Sequence, residues 1–228
     1  MKYDNITSAL FIDRPNRFIA DVSIDGTTET VHVKNTGRCK ELLLPGAEIY
    51  LTKPCSKGRK TRYDLIAVRK DNGLLINIDS QAPNKVVSEW LNTQGFTIVV
   101  PEYTYSNSRI DFYMEHSFAN TTEKYLMEVK GCTLERDGIG YFPDSPTQRG
   151  TKHLHELIKA VHEGHHAYAA FVIQMDNITE VRPNTETDPD FAAAFEEAKR
   201  SGVHILFLHC HVEPDSLTII SKTNEVFV

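Results

Sequence analysis

Two neighbouring segments constrain this chain's fold more than any other part of it. Ser108-Arg109-Ile110-Asp111-Phe112-Tyr113-Met114 and Tyr125-Leu126-Met127-Glu128-Val129-Lys130-Gly131 both read as strands, and residues 116–123 read as the hairpin loop between them. A symmetric loop centres between Ala119 and Asn120, which sets Asp111 opposite Glu128 and Arg109 opposite Lys130. Side chains alternate along a strand, so Arg109, Asp111, Glu128 and Lys130 are expected to share one face. Ile110, Phe112, Met114, Met127 and Val129, all apolar, are expected to share the other.

Two facing carboxylates repel, and each prefers to be protonated. A divalent cation removes the conflict, and hard oxygen ligands suit Mg²⁺ or Mn²⁺. Asp111 and Glu128, with the Val129 carbonyl, are the candidate ligands. Lys130, two residues after the glutamate, can orient a water or offset charge on a phosphate. Asp111, Glu128 and Lys130 are therefore the candidate catalytic set, in the arrangement of PD-(D/E)xK phosphodiesterases. The same spacing also fits an exposed cross-strand quartet of ion pairs. Glu89, on a helix upstream, is a candidate third acid or an ordinary solvent-facing residue.

The sequence around this hairpin divides in two. Residues 1–80 read as short strands at 16–25, 28–34, 47–53, 61–69 and 74–78. Turn pairs separate them: Asp25-Gly26, Thr36-Gly37, Pro45-Gly46 and Asn72-Gly73. Five such strands fit a small OB-like β-barrel, a frequent nucleic-acid platform. Gln81-Ala82-Pro83-Asn84 reads as the boundary, with Asn84 capping a helix over 85–93. Residues 81–228 then alternate strands (96–103, 109–115, 124–133, 168–175, 204–209, 217–220) with helices (148–163, 189–201). That order predicts an α/β domain with a mixed sheet, and an α+β chain as a whole.

Charge follows the same division. The net charge is −6, yet residues 1–80 carry 13 Lys+Arg against 10 Asp+Glu and the rest carries 12 against 21. A basic run, Lys53, Lys57, Arg59, Lys60, Arg62, Arg69 and Lys70, is opposed within the run by Asp64 alone. It is either a solvated face or part of a phosphate-binding surface. The helix opening at Gln148-Arg149-Gly150-Thr151-Lys152-His153 is a second candidate phosphate site, or simply a Thr147-capped helix.

Other classes lack support. No segment approaches the ~18 apolar residues of a membrane span, and nothing resembles a secretory leader. Four scattered cysteines without a CxxC argue against a disulfide framework or a cysteine zinc site and fit the cytoplasm. His162-Glu163-Gly164-His165-His166 matches HExxH literally, but Gly164 reads as a helix C-cap inside it.

Several longer motifs, in order along the chain, resemble the sugar fermentation stimulation protein A (SfsA) family. They include Arg14-Pro15-Asn16-Arg17-Phe18, His32-Val33 with Asn35-Thr36-Gly37-Arg38, Arg59-Lys60-Thr61-Arg62-Tyr63 and Pro83-Asn84. They continue with Ser108-Arg109-Ile110-Asp111-Phe112, Glu128-Val129-Lys130, Phe142-Pro143-Asp144 and Thr147-x-Arg149-Gly150-x-Lys152-His153-Leu154. Asn107 departs from the glycine expected there. The resemblance implies an N-terminal OB-like domain over 1–80 and a PD-(D/E)xK nuclease-like domain over 81–228. It implies DNA binding without marked sequence preference, and a regulatory link to sugar (maltose) metabolism. Arg14, Asn16, Arg17, His32, Asn35, Arg38, Arg59 and Lys60 would then line a backbone-binding face, with Arg109, Arg149 and Lys152 beside the acids. Turn formation for Asn16 and Asn35, and a satisfied strand position for His32, are the competing assignments.

Overall fold

The structure is a computed structural model that describes residues 1–54, 58–119 and 121–224. Cys55, Lys57 and Asn120 lie outside the described residues.

Six strands occupy the first third: β1 (Ile6–Asn16), β2 (Ile19–Ile24), β3 (Thr27–Val33), β4 (Glu48–Thr52), β5 (Asp64–Arg69) and β6 (Leu75–Asn77). They pair in the order β3-β2-β1-β4-β5-β6, and β3 also pairs with β5. That last pairing closes β1 to β5 into a five-strand barrel and leaves β6 as an extension of β5. Asp25 and Gly26 both have positive φ and join β2 to β3 as a two-residue hairpin, the backbone that Asp-Gly tolerates best. Ala9, Phe11, Val22, Val31, Ile49, Leu51 and Leu65 fill the interior. The sequence pattern misses β1, which forms the middle of the barrel sheet. Its residues 9–12 are all apolar, and Leu10 and Ile12 face out at 51% and 40% exposure, so no alternation marks it.

The remaining elements are α1 (Ala82–Leu91), β7 (Ile98–Tyr105), β8 (Ser108–Phe118), β9 (Thr121–Cys132), β10 (Leu134–Arg136), β11 (Ile139–Phe142), α2 (Gln148–His162), β12 (His166–Ile173), β13 (Val181–Pro183), α3 (Pro189–Arg200), β14 (His204–Glu213) and β15 (Ser216–Asn224). A mixed sheet runs β15-β14-β12-β9-β8-β7. Its central strands β9, β12 and β14 are parallel and need crossovers, which α2 and α3 supply. Central parallel strands are buried on both faces. Ala169, Phe171, Ile205 and Phe207 pack with Leu154 and Leu157 of α2 and Phe191 and Phe195 of α3. Ala170, Val172, Leu206 and Leu208 pack with Val86, Val87 and Leu91 of α1. The three-stranded sheet β10-β11-β13 escapes the sequence pattern because its strands are only three or four residues long.

Helix ends follow local chemistry. Thr147 accepts from the Gly150 N–H at 3.0 Å and Asp188 from the Phe191 N–H at 2.9 Å. Gly164, at φ +87°, ends α2, so His162 closes the helix while His166 already belongs to β12. The two histidines of the HExxH match thus lie on different elements. α1 departs from expectation: it starts at Ala82 with Pro83 in its first turn, and Asn84 does not cap it.

The barrel packs on the second domain through a buried polar network. Asp79, fully buried, takes the Lys34 ammonium at 2.9 Å and the Tyr3 hydroxyl at 3.0 Å. Gln174 Nε2 donates to the Asn77 carbonyl at 2.9 Å and its side-chain oxygen at 3.0 Å.

Candidate functional site

The β8–β9 hairpin adopts the expected register, but it is longer: pairing runs from Phe112–Met127 out to Phe118–Thr121, so most of the expected loop is strand. The ladder stops at Phe112–Met127, one step short of Asp111 and Glu128. Asp111 Oδ2 instead accepts the Val129 N–H at 2.8 Å, and Oδ1 accepts from Asn84 Nδ2 at 2.7 Å. Where the ladder opens, alternation also fails. Phe112, Met114, Met127 and Val129 pack under α1 as expected, but Ile110 joins the cluster under α2 and α3.

Glu128 is 3% exposed. Its Oε1 accepts from Lys130 Nζ at 2.7 Å and contacts Nδ1 of the buried His153. Its Oε2 is buried and has no hydrogen-bond partner. The two acids diverge electrostatically. Burial pushes Asp111 above the usual carboxylate range and the Glu128 charge adds to this, against the Val129 N–H, Asn84 and Lys130. Burial also pushes Glu128 up, but His153 and Lys130 outweigh it and hold that carboxyl low. The pair therefore sits with Glu128 ionised and Asp111 the reluctant anion.

His153 is the member that the sequence reading placed elsewhere, among phosphate-binding side chains at the start of α2. It lies in the helix's buried stripe with Gly150, Leu154, Leu157 and Ile158. A histidine within an apolar stripe is the signal that could have found it. Arg149, one turn back, donates from Nε to His153 Nε2 at 3.5 Å, and Lys152 donates to the Asn107 carbonyl at 3.3 Å.

Arg109 does not join the acids. It is 65% exposed and pairs at 2.5 Å with Glu102 of the neighbouring strand β7. Glu89 lines the same shallow depression as Asp111 but pairs with the Met1 amino group at 2.8 Å.

The expected backbone-binding residues separate by what they touch. Arg14 is committed to the fold: NH1 donates to the Gly37 and Arg38 carbonyls, NH2 to those of Arg17 and Asn35, at 2.6–2.9 Å. Asn16 closes a turn by accepting the Phe18 N–H at 2.9 Å. Asn35 accepts the Gly37 N–H at 2.7 Å and donates to the Ile78 carbonyl at 2.9 Å. His32 and Arg59 both turn to the buried Asp64. In the basic run, Arg69 pairs with Glu48 at 2.9 Å and Lys70 with Glu135 at 2.5 Å. Arg17, Arg38 and Lys60 are exposed and carry no ion pair among the described residues, and Arg17 lies over the exposed Phe18 ring at 4.7 Å.

A cleft of about 310 Å³ separates residues 35–37 of the barrel from residues 141–147, and Gly131, next to Lys130, lies in its wall. Gly37 leaves little room there: a Cβ would meet Asp144 Oδ2 at 2.3 Å and would push that side chain aside.

Among the described residues, no three His, Cys, Asp or Glu side chains converge as a ready metal cage. The donor set nevertheless suits a hard cation. Asp111 and Glu128 are oxygen ligands, Glu128 Oε2 is an unsatisfied buried acceptor, and Mg²⁺ commonly takes one or two carboxylates and keeps waters. No helix among the described residues is long and apolar enough to cross a membrane.

Comparison with known proteins agrees with this architecture. Residues 12–78 match the SfsA N-terminal OB domain, and residues 81–216 match the sugar fermentation stimulation protein RE domain. A sugar fermentation stimulation protein homolog of Ruminiclostridium cellulolyticum is 50% identical over 223 residues, 96% of each chain. One from Desulfitobacterium hafniense is 51% identical over 220 residues, covering 95% of this chain and 94% of that one. The structure of Pyrococcus furiosus SfsA in complex with Ca²⁺ superposes with a TM-score of 0.82 at 28% identity, covering 97% of this chain and 96% of that one. With an OB barrel, a mixed-sheet second domain and relatives matching over 94–96% of each chain, this chain belongs to the sugar fermentation stimulation protein (SfsA) family.

Proposed function

We propose that this protein binds nucleic acid through its phosphate backbone and holds a divalent cation, Mg²⁺ or Mn²⁺, at Asp111 and Glu128 for phosphodiester hydrolysis. One observation carries the reading: the buried, unpartnered Oε2 of Glu128 beside Asp111. A buried carboxylate oxygen without a donor is costly, and a cation would satisfy it. The Ca²⁺ complex of the Pyrococcus furiosus relative supports a hard-cation site in this family.

Each side chain then has a task. Asp111, fixed by Asn84 and the Val129 N–H, and Glu128, kept ionised by His153 and Lys130, present oxygen ligands, with the Val129 carbonyl as a third. When bound, the cation activates water and offsets charge on a phosphate oxygen. Lys130 brings a positive charge to the same point and can hold a water by hydrogen bonding. Arg17, Arg38, Lys60 and Arg149 contribute the electrostatic, sequence-independent part of DNA binding. A link to sugar (maltose) metabolism would run through this DNA binding.

The test is Mn²⁺ titration of wild type and Asp111→Ala, with single- and double-stranded DNA and RNA present. Mn²⁺ uptake and strand cleavage, both lost in the variant, are expected. No uptake by wild type would overturn the cation site. It would leave a DNA-binding regulator in which Glu128, Lys130 and His153 form a structural ion cluster.

A further inference from the structure

Asn84 does not cap α1, and its side chain is engaged elsewhere. It lies in the first turn of α1, where its amide is free to point away from the helix, and its Nδ2 donates to Asp111 Oδ1 at 2.7 Å. The other Asp111 oxygen takes the Val129 N–H at 2.8 Å, so two donors from different elements fix the carboxylate in rotation as well as in place. The Val129 donor belongs to the same strand as Glu128 and Lys130. Orienting Asp111 therefore sets its lone pairs relative to the rest of the site.

The helix that carries Asn84 is itself held rigidly. Asp79 Oδ1 accepts the Gln81 N–H at 2.9 Å just before α1 begins. The other Asp79 oxygen is held by Lys34 from the barrel at 2.9 Å and by Tyr3 at 3.0 Å. Pro83 restricts the backbone next to Asn84. Its side chain also packs close to Gly131, where an added Cβ would meet Pro83 Cγ at 2.8 Å. Both arms of the site, Asp111 and the Glu128–Gly131 strand, are thus packed against the first turn of one helix tied to the barrel.

We infer that Asn84 is a positioning residue: its amide donor, placed by the barrel-tied start of α1, orients Asp111 toward the Glu128 and Lys130 side of the site. As far as cation binding is concerned, the inference rests on the function proposed above. The orientation itself does not depend on a cation.

Two variants separate donation from packing. Asn84→Ala removes the side chain, and Asn84→Asp keeps its volume but replaces the donor with an acceptor that repels Asp111. Val129 amide exchange, measured by NMR in chelator, reads whether Asp111 still accepts that N–H. Exchange roughly tenfold faster than wild type is expected in both variants, the scale of one lost hydrogen bond to a charged group, while the Leu208 amide in the far part of the sheet is unchanged. Mn²⁺ affinity, read by electron paramagnetic resonance, should fall in Asn84→Ala by a similar factor. Wild-type Val129 exchange in Asn84→Asp would overturn the inference, since the isosteric side chain would then suffice without its donor. Unchanged Mn²⁺ affinity in Asn84→Ala would overturn its functional half. If wild type bound no Mn²⁺, the cation reading would fall while the exchange result still decided the role of Asn84.

Discussion

The two acids of the site, adjacent and equal in formal charge, should respond oppositely to neutralisation. Glu128 is the only carboxylate that touches either Lys130 or His153 among the described residues, and the side chains of those partners are 12% and 6% exposed. Glu128→Gln keeps shape and an acceptor but leaves the Lys130 charge buried without its counter-ion. Breaking a buried pair in this way costs about 3–5 kcal/mol, and the retained acceptor places Glu128→Gln near the lower end. At about 2–4 °C per kcal/mol for a chain of this size, the melting temperature should fall by roughly 6–12 °C. Asp111→Asn removes a charge that burial and Glu128 both disfavour. The Asn84 amide can turn over to accept from the amide introduced at position 111, and Asn84, half-buried, then presents its own donor to solvent. A gain of about 1 kcal/mol is expected, within the range typical of stabilising replacements. The pH dependence follows from the direction of each shift. Glu128 titrates below its unfolded value, so its contribution is present above the ordinary glutamate range and is lost as pH falls through the lower folded value. Asp111 titrates above its unfolded value, so its penalty is present at pH 7 and is relieved as pH falls through the raised value. Urea and thermal unfolding in chelator, at pH 7 and in a series descending to pH 3, read both effects. Equal-sign changes in the two variants at pH 7, or a Glu128→Gln protein as stable as wild type, would refute the assignment of charge within the site.

Arg14→Ala should lower the melting temperature with little change in the salt slope of DNA binding, since its two terminal guanidinium nitrogens both donate to backbone carbonyls of residues 17 and 35–38. Arg17→Ala and Arg38→Ala should each reduce the slope of log affinity against log salt by about 1, with stability unchanged; the reverse pattern in salt-dependent binding assays would reassign the roles. Gly37→Ala drives a Cβ to within 2.3 Å of Asp144 Oδ2 and 2.8 Å of Asn35 Oδ1, so a loss of about 1–3 kcal/mol is expected in urea unfolding. Leu51→Ala, at a position with 0% exposure in the barrel core, should cost about 2–5 kcal/mol by the same measurement; a loss under 1 kcal/mol would argue against the closed barrel.

What the amino-acid sequence determines by itself is local. The β8–β9 register follows from a symmetric hairpin and a two-residue alternation, so Asp111 and Glu128 could be set opposite each other without any tertiary contact. Thr147 and Asp188 cap helices through bonds that span three residues, and Asp25-Gly26 turns a chain wherever it lies. The order of the longer helices and strands after residue 81 is legible for the same reason, while the short strands β10, β11 and β13 are not. The tertiary structure decides everything that depends on a partner far along the chain. Asn84 looks like a cap until Asp111, 27 residues away, claims its amide. His153 looks like a phosphate ligand until the helix lays it on Glu128, 25 residues away. Arg14 and Arg17 are equally basic in sequence, yet the carbonyls of residues 35–38 consume one and leave the other free. Strand β1 is hidden because its outward-facing residues Leu10 and Ile12 are as apolar as the covered Ala9 and Phe11, so the alternation of burial leaves no mark in the sequence. Charge and hydrogen-bonding capacity are written residue by residue, but which donor meets which acceptor is settled when the fold brings distant segments within about 3 Å of one another.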